Sequence, residues 1–278
     1  MSAEDEASHG APSALQRPAL RVRGFTRCYG QTLAVDDLSF EVGAGEVLGL
    51  VGPNGAGKTT TLRSIVGVLP MQQGTVEVAG HDIAGDQVAA KSALAWIPED
   101  PRPFEILTVD EHLEFTASLF GLGDDWRARA DELIEVFELS EKRGALGSEL
   151  SRGMRQKLAF CCAWLSEPEV LLMDEPLSGL DPRGIRSAKS AIADCAASGT
   201  AVVLSSHLLE LIEELADRIL ILDRGRGLFI GSLAEARASV RGGEDASLEE
   251  VFLSITGERR EDGASTAPGA PADAGDPG

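Results

Sequence analysis

The sequence predicts an α/β fold in which helices cover a largely parallel sheet. Short, mainly apolar runs of strand length recur along the chain, and patterns typical of helices separate them. Strands buried on both faces need such continuous apolar runs, and parallel neighbours need a crossover between them. The runs lie at 47–51, 94–98, 169–175, 200–206 and 218–222.

The first part of the chain predicts an antiparallel β layer beside this sheet. Apolar and polar residues alternate at 19–23, at 38–42 and between the glycines of 74–80. Such alternation is typical of strands with one solvated face. We expect the first of these strands to end in the segment 26–30.

A helical insertion is predicted between the apolar runs at 94–98 and 169–175. Thr108 and Glu111 have the spacing of a capping box, in which each side chain bonds the backbone N–H of the other residue. The helix that they open should reach Phe120, and apolar residues on one face predict a second helix at 126–137. We therefore expect a helical subdomain at about 99–165.

The composition sets domain limits and disfavours one class of partner. Residues 1–18 and 257–278 are rich in Ala, Gly, Ser, Pro and acidic residues and lack apolar periodicity. We expect a disordered arm and a disordered tail around one domain at 19–256. The formal net charge of −20 disfavours nucleic acid, which binds clustered Lys and Arg.

Cysteine usage and the length of the apolar runs point to the cytoplasm. The four cysteines form no C-x-x-C pair, which argues against zinc and disulfide scaffolds and for a reducing compartment. The apolar runs fall far short of the roughly 18–20 residues that a membrane span needs. The N-terminal segment has no apolar stretch typical of a signal peptide.

A glycine-rich loop with the pattern G-x-x-x-x-G-K-[ST] follows the run at 47–51 and precedes a helical pattern. In this geometry backbone N–H groups and the helix dipole converge on a phosphate. Lys58 would reach the β- and γ-phosphates, and the Thr59 hydroxyl would help to hold Mg²⁺. The pattern predicts a P-loop NTPase core that binds a nucleoside triphosphate. Its residues are Gly52, Pro53, Asn54, Gly55, Ala56, Gly57, Lys58, Thr59 and Thr60.

Two adjacent carboxylates end the apolar run at 169–175. Asp174 has the position of an aspartate that holds Mg²⁺ in P-loop NTPases. Glu175, on the other side of the strand end, could polarise the water that attacks the γ-phosphate. Upstream, Ser151 and Gly153 have the pattern of a helix N-terminus, with the serine as N-cap.

Residues 20–256 resemble the ATP-binding subunit of an ABC transporter, because six motifs occur in the order typical of that family. They are the adenine-stacking aromatic residue, the Walker A loop, the signature, the Walker B strand with the catalytic glutamate, the D-loop and the switch histidine. Six motifs in order are far more specific than one. They fall at Tyr29, 52–59, 150–154, 170–175, 178–181 and His207.

The resemblance implies a nucleotide site that two subunits share. Two ATP-binding domains would hold two ATP molecules head-to-tail, so that Ser151 and Gly153 contact the ATP of the partner chain. His207 would contact the γ-phosphate, Asp181 would link the two sites, and adenine would stack on Tyr29. One set of motifs requires pairing, most simply with a second copy of the chain.

The resemblance also implies a membrane partner. Closing on ATP and opening after hydrolysis would drive transport by a separate integral membrane permease, with this chain peripheral on the inner face of the cell membrane. The segment 247–257 resembles the end of ATPases that serve ABC-2 type permeases, so we expect an exporter. Residues 99–107 are expected to contact the permease.

Two motifs depart from the family pattern. The signature has Arg152 and Met154 where the family has Gly and Gln, which affects the expected contact with the partner's nucleotide. Glu99 stands where a glutamine usually opens the Q-loop. A carboxylate at this place can still bind Mg²⁺ or accept a hydrogen bond from water.

Two other functions stay open from the sequence. The chain could be an ABC-type ATPase that acts as a nucleotide-dependent regulatory or assembly module without transport. It could also be an unrelated small-molecule kinase with the same phosphate-binding loop, although such a kinase leaves residues 150–154 and His207 unexplained.

Overall fold

The computed structural model describes residues 17–240, 243 and 246–264. Its strands form a six-stranded and a four-stranded sheet. In chain order the strands are β1 (Leu20–Tyr29), β2 (Thr32–Val42), β3 (Val47–Val51), β4 (Gln73–Val78), β5 (His81–Asp82), β6 (Leu94–Ile97), β7 (Val170–Asp174), β8 (Ala201–Ser205), β9 (Arg218–Asp223) and β10 (Arg226–Ser232). The helices are α1 (Lys58–Ile65), α2 (Gln87–Ser92), α3 (Val109–Phe120), α4 (Trp126–Val136), α5 (Arg152–Leu165), α6 (Pro182–Ala197), α7 (Leu209–Leu215), α8 (Leu233–Ala238) and α9 (Leu248–Ala264).

The larger sheet confirms the predicted parallel core. Its order is β10-β9-β3-β8-β7-β6, and the five apolar runs supply the five strands that pair in parallel. The edge strand β10, which the sequence analysis missed, pairs antiparallel with β9. Because parallel strands share one direction, the ends of β3, β7 and β8 meet at one edge of the sheet.

The sheet is buried on both faces, as its apolar composition predicts. In β3, Val47 and Val51 belong to one hydrophobic cluster, with the helical segment and the C-terminal helices. Leu48 and Leu50 belong to the other, with the antiparallel sheet and α1. Alternate residues of a strand point to opposite faces, so a run without polar residues fills both cores.

The antiparallel layer has the order β2-β1-β4-β5. The first strand ends at Tyr29, inside the segment 26–30 where its end was expected. Tyr29 pairs with Thr32 across a tight turn, and the ladder contains several register shifts. These irregularities break the strict alternation, so the sequence pattern fades before the strand does.

Residues 99–165 contain α3, α4 and α5 together with two short 3-10 turns. The predicted capping box opens α3: the backbone N–H of Glu111 donates to Thr108 Oγ1 at 3.2 Å, and Glu111 Oε2 accepts from the Thr108 N–H at 2.7 Å. Strand β6 ends at Ile97, immediately before a proline, as predicted.

At both ends of the chain, the described structure extends beyond the predicted domain limits of residues 19 and 256. Residues 1–16 of the predicted arm lie outside the described residues, and Arg17 Nη2 donates to the Gly80 carbonyl at 3.0 Å. At the other end α9 runs to Ala264, so the boundary expected after Thr256 falls inside this helix. Residues 265–278 of the predicted tail lie outside the described residues. Among the described helices, none is long and apolar enough to cross a membrane.

Candidate nucleotide site

The glycine-rich loop joins β3 to α1, as the sequence predicts. Gly57 precedes α1 with a φ of 107°, a backbone angle that glycine adopts readily. At Gly52 a Cβ atom would lie 2.4 Å from the Leu222 carbonyl oxygen, so the loop can pass β9 only without a side chain there. Both glycines are therefore required by geometry.

Lys58, the first residue of α1, folds back over this loop. Its Nζ donates to the Gly52 carbonyl at 2.6 Å and to the Pro53 carbonyl at 3.3 Å. Burial lowers the pKa of Lys58, and the negative charges of Glu175, Asp174 and Glu99 partly offset this effect. The ammonium group therefore lies among the carboxylates of the site.

A cavity of about 580 Å³ at this edge of the sheet brings most of the predicted residues together. The loop forms one wall, the β1–β2 turn another, and the ends of β7 and β8 face it. Gly52, the first residue of the loop, does not line the cavity itself, but its carbonyl accepts a hydrogen bond from Lys58, which does. The lining residues are Tyr29, 32–34, 53–60, Glu99, Asp174, Glu175 and His207.

Asp174 ends β7 as a buried carboxylate, 2% exposed. The Ser205 hydroxyl donates to Asp174 Oδ1 at 2.5 Å. β7 and β8 pair in register, with Asp174 opposite Ser205, so the last residue of each strand meets the other. Ser205 was not among the predicted site residues; its signal in the sequence was a serine at the end of an apolar strand, directly before Ser206 and His207.

Glu175, the next residue, leaves the strand with a φ of 48°, which is uncommon for a residue with a side chain. Its N–H donates to the Ser205 carbonyl at 3.0 Å. The side chain turns toward β8, where His207 Nδ1 lies 2.7 Å and the Ser206 hydroxyl 3.4 Å from Glu175 Oε2. The two adjacent acids therefore have separate environments, one buried under a serine and one beside a histidine.

Oxygen donors suitable for a hard cation line the cavity. They include the three that were predicted as metal ligands, namely the Thr59 hydroxyl and the carboxylates of Glu99 and Asp174. Within the described residues, no group of three or more His, Cys, Asp or Glu side chains is close enough together to hold a metal ion. A cation at this place would need water or ligand oxygens in addition, which is how proteins usually bind Mg²⁺.

Ser151, Gly153 and Asp181 lie apart from the residues that line this cavity. Ser151 caps α5, and its Oγ accepts from the Met154 N–H at 3.3 Å. Asp181 caps α6 and accepts from the Gly184 N–H at 3.1 Å. The structure therefore separates the predicted residues into two groups on one chain.

The first turns of α5 hold the segment 178–181. Arg152, in the place of a signature glycine, donates from Nη2 to the Ser178 hydroxyl at 2.9 Å. At Gly153 a Cβ atom would lie 2.8 Å from the Gly179 carbonyl oxygen, so only glycine permits this approach. One turn further, Lys157 Nζ lies 3.5 Å from Asp181 Oδ1.

This arrangement of loop, carboxylates and histidine on a parallel sheet defines an ATP-hydrolysing P-loop protein. A family model described as ABC transporter matches residues 35–178. The chain belongs to the ABC transporter family and carries its ATP-binding, ATP-hydrolysing domain. The predicted family, fold and ATPase activity are thereby confirmed.

Individual relatives agree with this assignment. The ABC-type transporter ATP-binding protein EcsA of Bacillus subtilis (strain 168) is 34% identical over 240 residues, which are 86% of this chain and 97% of that protein. The daunorubicin resistance ATP-binding protein DrrA3 of Streptomyces coeruleorubidus is 37% identical over 225 residues, 81% of this chain and 71% of the relative.

A solved structure supports the fold over the same length. A protein described as the ATP-binding subunit of an ABC transporter superposes with a TM-score of 0.82 at 33% identity, covering 86% of this chain and 99% of that one. These similarities favour a transport ATPase over a regulatory module, and they are inconsistent with an unrelated small-molecule kinase.

Proposed function

We propose that two copies of this chain bind two MgATP molecules head-to-tail and that hydrolysis drives export through a separate membrane permease. The separation of the site residues into two groups is the observation that carries the proposal. The cavity contains a phosphate-binding loop, three carboxylates and a histidine, whereas Ser151 and Gly153 begin a helix elsewhere on the chain. A helix N-terminus attracts phosphate, so a partner's α5 would complete the site.

In this proposal the loop and α1 bind the phosphates of ATP, with Lys58 released from its two carbonyl partners to the β- and γ-phosphates. Thr59, Asp174 and Glu99 are the candidate ligands of Mg²⁺. Their hydroxyl and carboxylate oxygens fit this hard cation, with phosphate and water oxygens completing its coordination. Bound Mg²⁺ would neutralise charge that develops on the phosphates.

Glu175 is the proposed general base. A water molecule between its carboxylate and the γ-phosphate would be oriented for attack and would pass a proton to Glu175. His207 is placed to orient this carboxylate through the 2.7 Å contact, and its exposed ring could also reach the γ-phosphate. Asp181, held by Lys157 on the α5 side, would then connect this event to the partner site.

The proposed membrane partner contacts an apolar patch made of Phe104, Ile106, Phe115 and Leu119, all exposed. The rings of Phe104 and Phe115 pack edge to face, 5.4 Å between centroids. Leu119 lies one helical turn beyond Phe115 on α3. The patch adjoins the segment 99–107, and its burial would place the chain on the cytoplasmic face of the membrane. The drug-resistance name of one relative supports export.

Glu175→Gln tests the head-to-tail site, because glutamine keeps the shape of the side chain but accepts protons poorly. We expect hydrolysis to fall by about 100-fold or more, while ATP binding persists and the variant elutes as a dimer in MgATP. Size-exclusion chromatography with light scattering and phosphate release measure the two effects. The control is Glu141→Gln, an exposed acid of the helical segment, which should hydrolyse ATP normally. A Glu175→Gln protein that binds MgATP but stays monomeric would contradict the proposal.

A further inference from the structure

A buried arginine lies against the ring of Tyr29. The Arg27 guanidinium carbon is 5.0 Å from the centroid of the Tyr29 ring. This contact brings the two side chains together at the irregular end of β1. Arg27 is 7% exposed, whereas Tyr29 is 46% exposed and lines the nucleotide cavity. One face of the ring therefore meets the cation, and the other is available to a ligand.

The contacts of Arg27 explain why it stays in this position. Its Nη1 donates to the Pro70 carbonyl at 2.5 Å, but its buried Nε has no hydrogen-bond partner among the described residues. A buried cation with incomplete hydrogen bonding is costly. The attraction between the guanidinium and the face of the tyrosine ring offsets part of that cost.

The segment after α1 fixes both the arginine and the strand end that carries Tyr29. Pro70 binds Arg27, and the Gln72 side chain bonds the backbone of Cys28 twice, accepting from its N–H at 2.7 Å and donating to its carbonyl at 3.1 Å. This segment follows the helix that begins at the phosphate-binding loop. The same part of the chain thus positions the phosphate site and the Tyr29 ring.

We propose that Arg27 is a positioning residue for the adenine base. It holds the Tyr29 ring in the orientation on which adenine stacks, so that less side-chain freedom is lost on binding. Its positive charge on the far face of the ring also restricts the ring to this one orientation. The proposal rests on the proposed function, which places adenine on Tyr29, and it adds that base affinity depends on a residue outside the reach of ATP.

The test compares ATP with inorganic tripolyphosphate, which has the phosphates but no base. Dissociation constants are measured by calorimetry with Mg²⁺ for the full-length wild type and for Arg27→Met, Arg27→Lys and Tyr29→Ala. We expect Arg27→Met to weaken ATP binding by about 3- to 10-fold and to leave tripolyphosphate binding unchanged. Arg27→Lys keeps the charge and should recover part of the loss. In the double variant with Tyr29→Ala, removal of Arg27 should add nothing further.

A second measurement observes the ring directly and does not depend on the methionine variant. Tyr29 is the only tyrosine of the sequence, so tyrosine labelled with ¹³C in the ring gives signals from this residue alone in NMR spectra. We expect ATP, but not tripolyphosphate, to shift these signals in the wild type. In Arg27→Lys, a less restrained ring should give a smaller ATP-dependent shift.

The outcomes distinguish this inference from the proposed function. If Tyr29→Ala weakens ATP binding and Arg27→Met does not, the role of Arg27 is wrong while the adenine site stands. Equal losses for ATP and tripolyphosphate in Arg27→Met would also overturn the inference, because they would show a general effect on the loop. If Tyr29→Ala binds ATP like the wild type and ATP leaves the ring signals unshifted, the adenine site itself is misplaced.

Discussion

Individual residues at the ends of β7 and β8 set the chemistry of the site. Asp174 and Glu175 are neighbours in sequence, yet one is bonded by Ser205 in the core and the other turns to His207 at the surface. The turn needs a left-handed backbone at a residue with a side chain, which costs about 1–3 kcal/mol and persists only where surrounding contacts hold it. The hydrogen bonds from the ends of β8 supply that restraint.

At the residue scale, we predict that Ser205→Ala lowers the free energy of unfolding by about 1–3 kcal/mol. The substitution leaves the Asp174 carboxylate buried without the hydroxyl that bonds it. It should also raise the Mg²⁺ concentration needed for half-maximal ATPase activity, since the carboxylate loses its orientation. Urea unfolding and a Mg²⁺ titration of hydrolysis measure the two effects.

The matched control is Ser198→Ala, which removes an exposed serine whose hydroxyl bonds the Asp194 carbonyl within α6 and its cap. We expect a change within about 0.5 kcal/mol and an unchanged Mg²⁺ requirement. Equal behaviour of the two variants would show that the Ser205 contact has no special role.

At the scale of elements, the start of α5 contacts the segment 178–181, which lies some distance further along the sequence. The first turns of the helix make these contacts through Arg152, Gly153 and Lys157. Ser178 in turn bonds back to Glu175, whose carbonyl accepts from the Ser178 N–H at 3.1 Å. A short path of contacts therefore connects the start of α5 with Glu175, the proposed general base at the end of β7. Arg152 stands where the family has a glycine, and the contacts persist because the Arg152 side chain itself provides one of them, the hydrogen bond to Ser178.

We predict that Arg152 and Ser178 are coupled. In a double-mutant cycle of Arg152→Ala and Ser178→Ala, urea unfolding should give a coupling energy of about 0.5–1 kcal/mol, because either single change breaks the same hydrogen bond. Both single variants should also lower the ATPase rate of the proposed dimer. Arg183→Ala, an exposed arginine of α6, is the control and should combine additively with Ser178→Ala. Additive effects in the first cycle would contradict the coupling.

At the scale of the whole molecule, the sheet separates two cores and brings the site to one edge. The helical segment on one face exposes the apolar patch of Phe104, Ile106, Phe115 and Leu119. The antiparallel layer on the other side supplies Tyr29 to the cavity. In the proposed function the nucleotide and the permease would therefore contact different layers, and the segment 99–107, with Glu99 in the cavity, would link them.

We predict that Leu119→Glu weakens co-purification with the permease while leaving ATP hydrolysis by the isolated chain unchanged. The charge would enter an apolar contact at a side chain that is 67% exposed, so the fold should tolerate it. Leu253→Glu on α9 is the control, with the same residue type and 60% exposure. The test partner is the membrane protein that co-purifies with the wild-type chain. Equal recovery of both variants in the membrane complex would rule out this patch as the contact surface.

The sequence by itself determined the features whose parts are neighbours along the chain. The strand, glycine loop and helix at 47–65, the capping box of α3 and the adjacent carboxylates at the end of β7 were all predicted, because backbone geometry and hydrogen bonding over a few residues specify them. The separate motifs could also be ordered into a known family. Strand β10 and helix α8 were not predicted, because neither has a clear apolar periodicity in the sequence. Their burial depends on contacts with β9 and α9.

Only the tertiary structure decided which distant residues meet. Insertion of β8 between β3 and β7 places Ser205 on Asp174 and His207 beside Glu175, and the segment after α1 places Pro70 on Arg27. Strand order and register follow from the packing of whole faces, to which each residue contributes little. Local sequence patterns therefore predicted the reactive groups, whereas the side chains that hold these groups in place could be identified only from the tertiary structure.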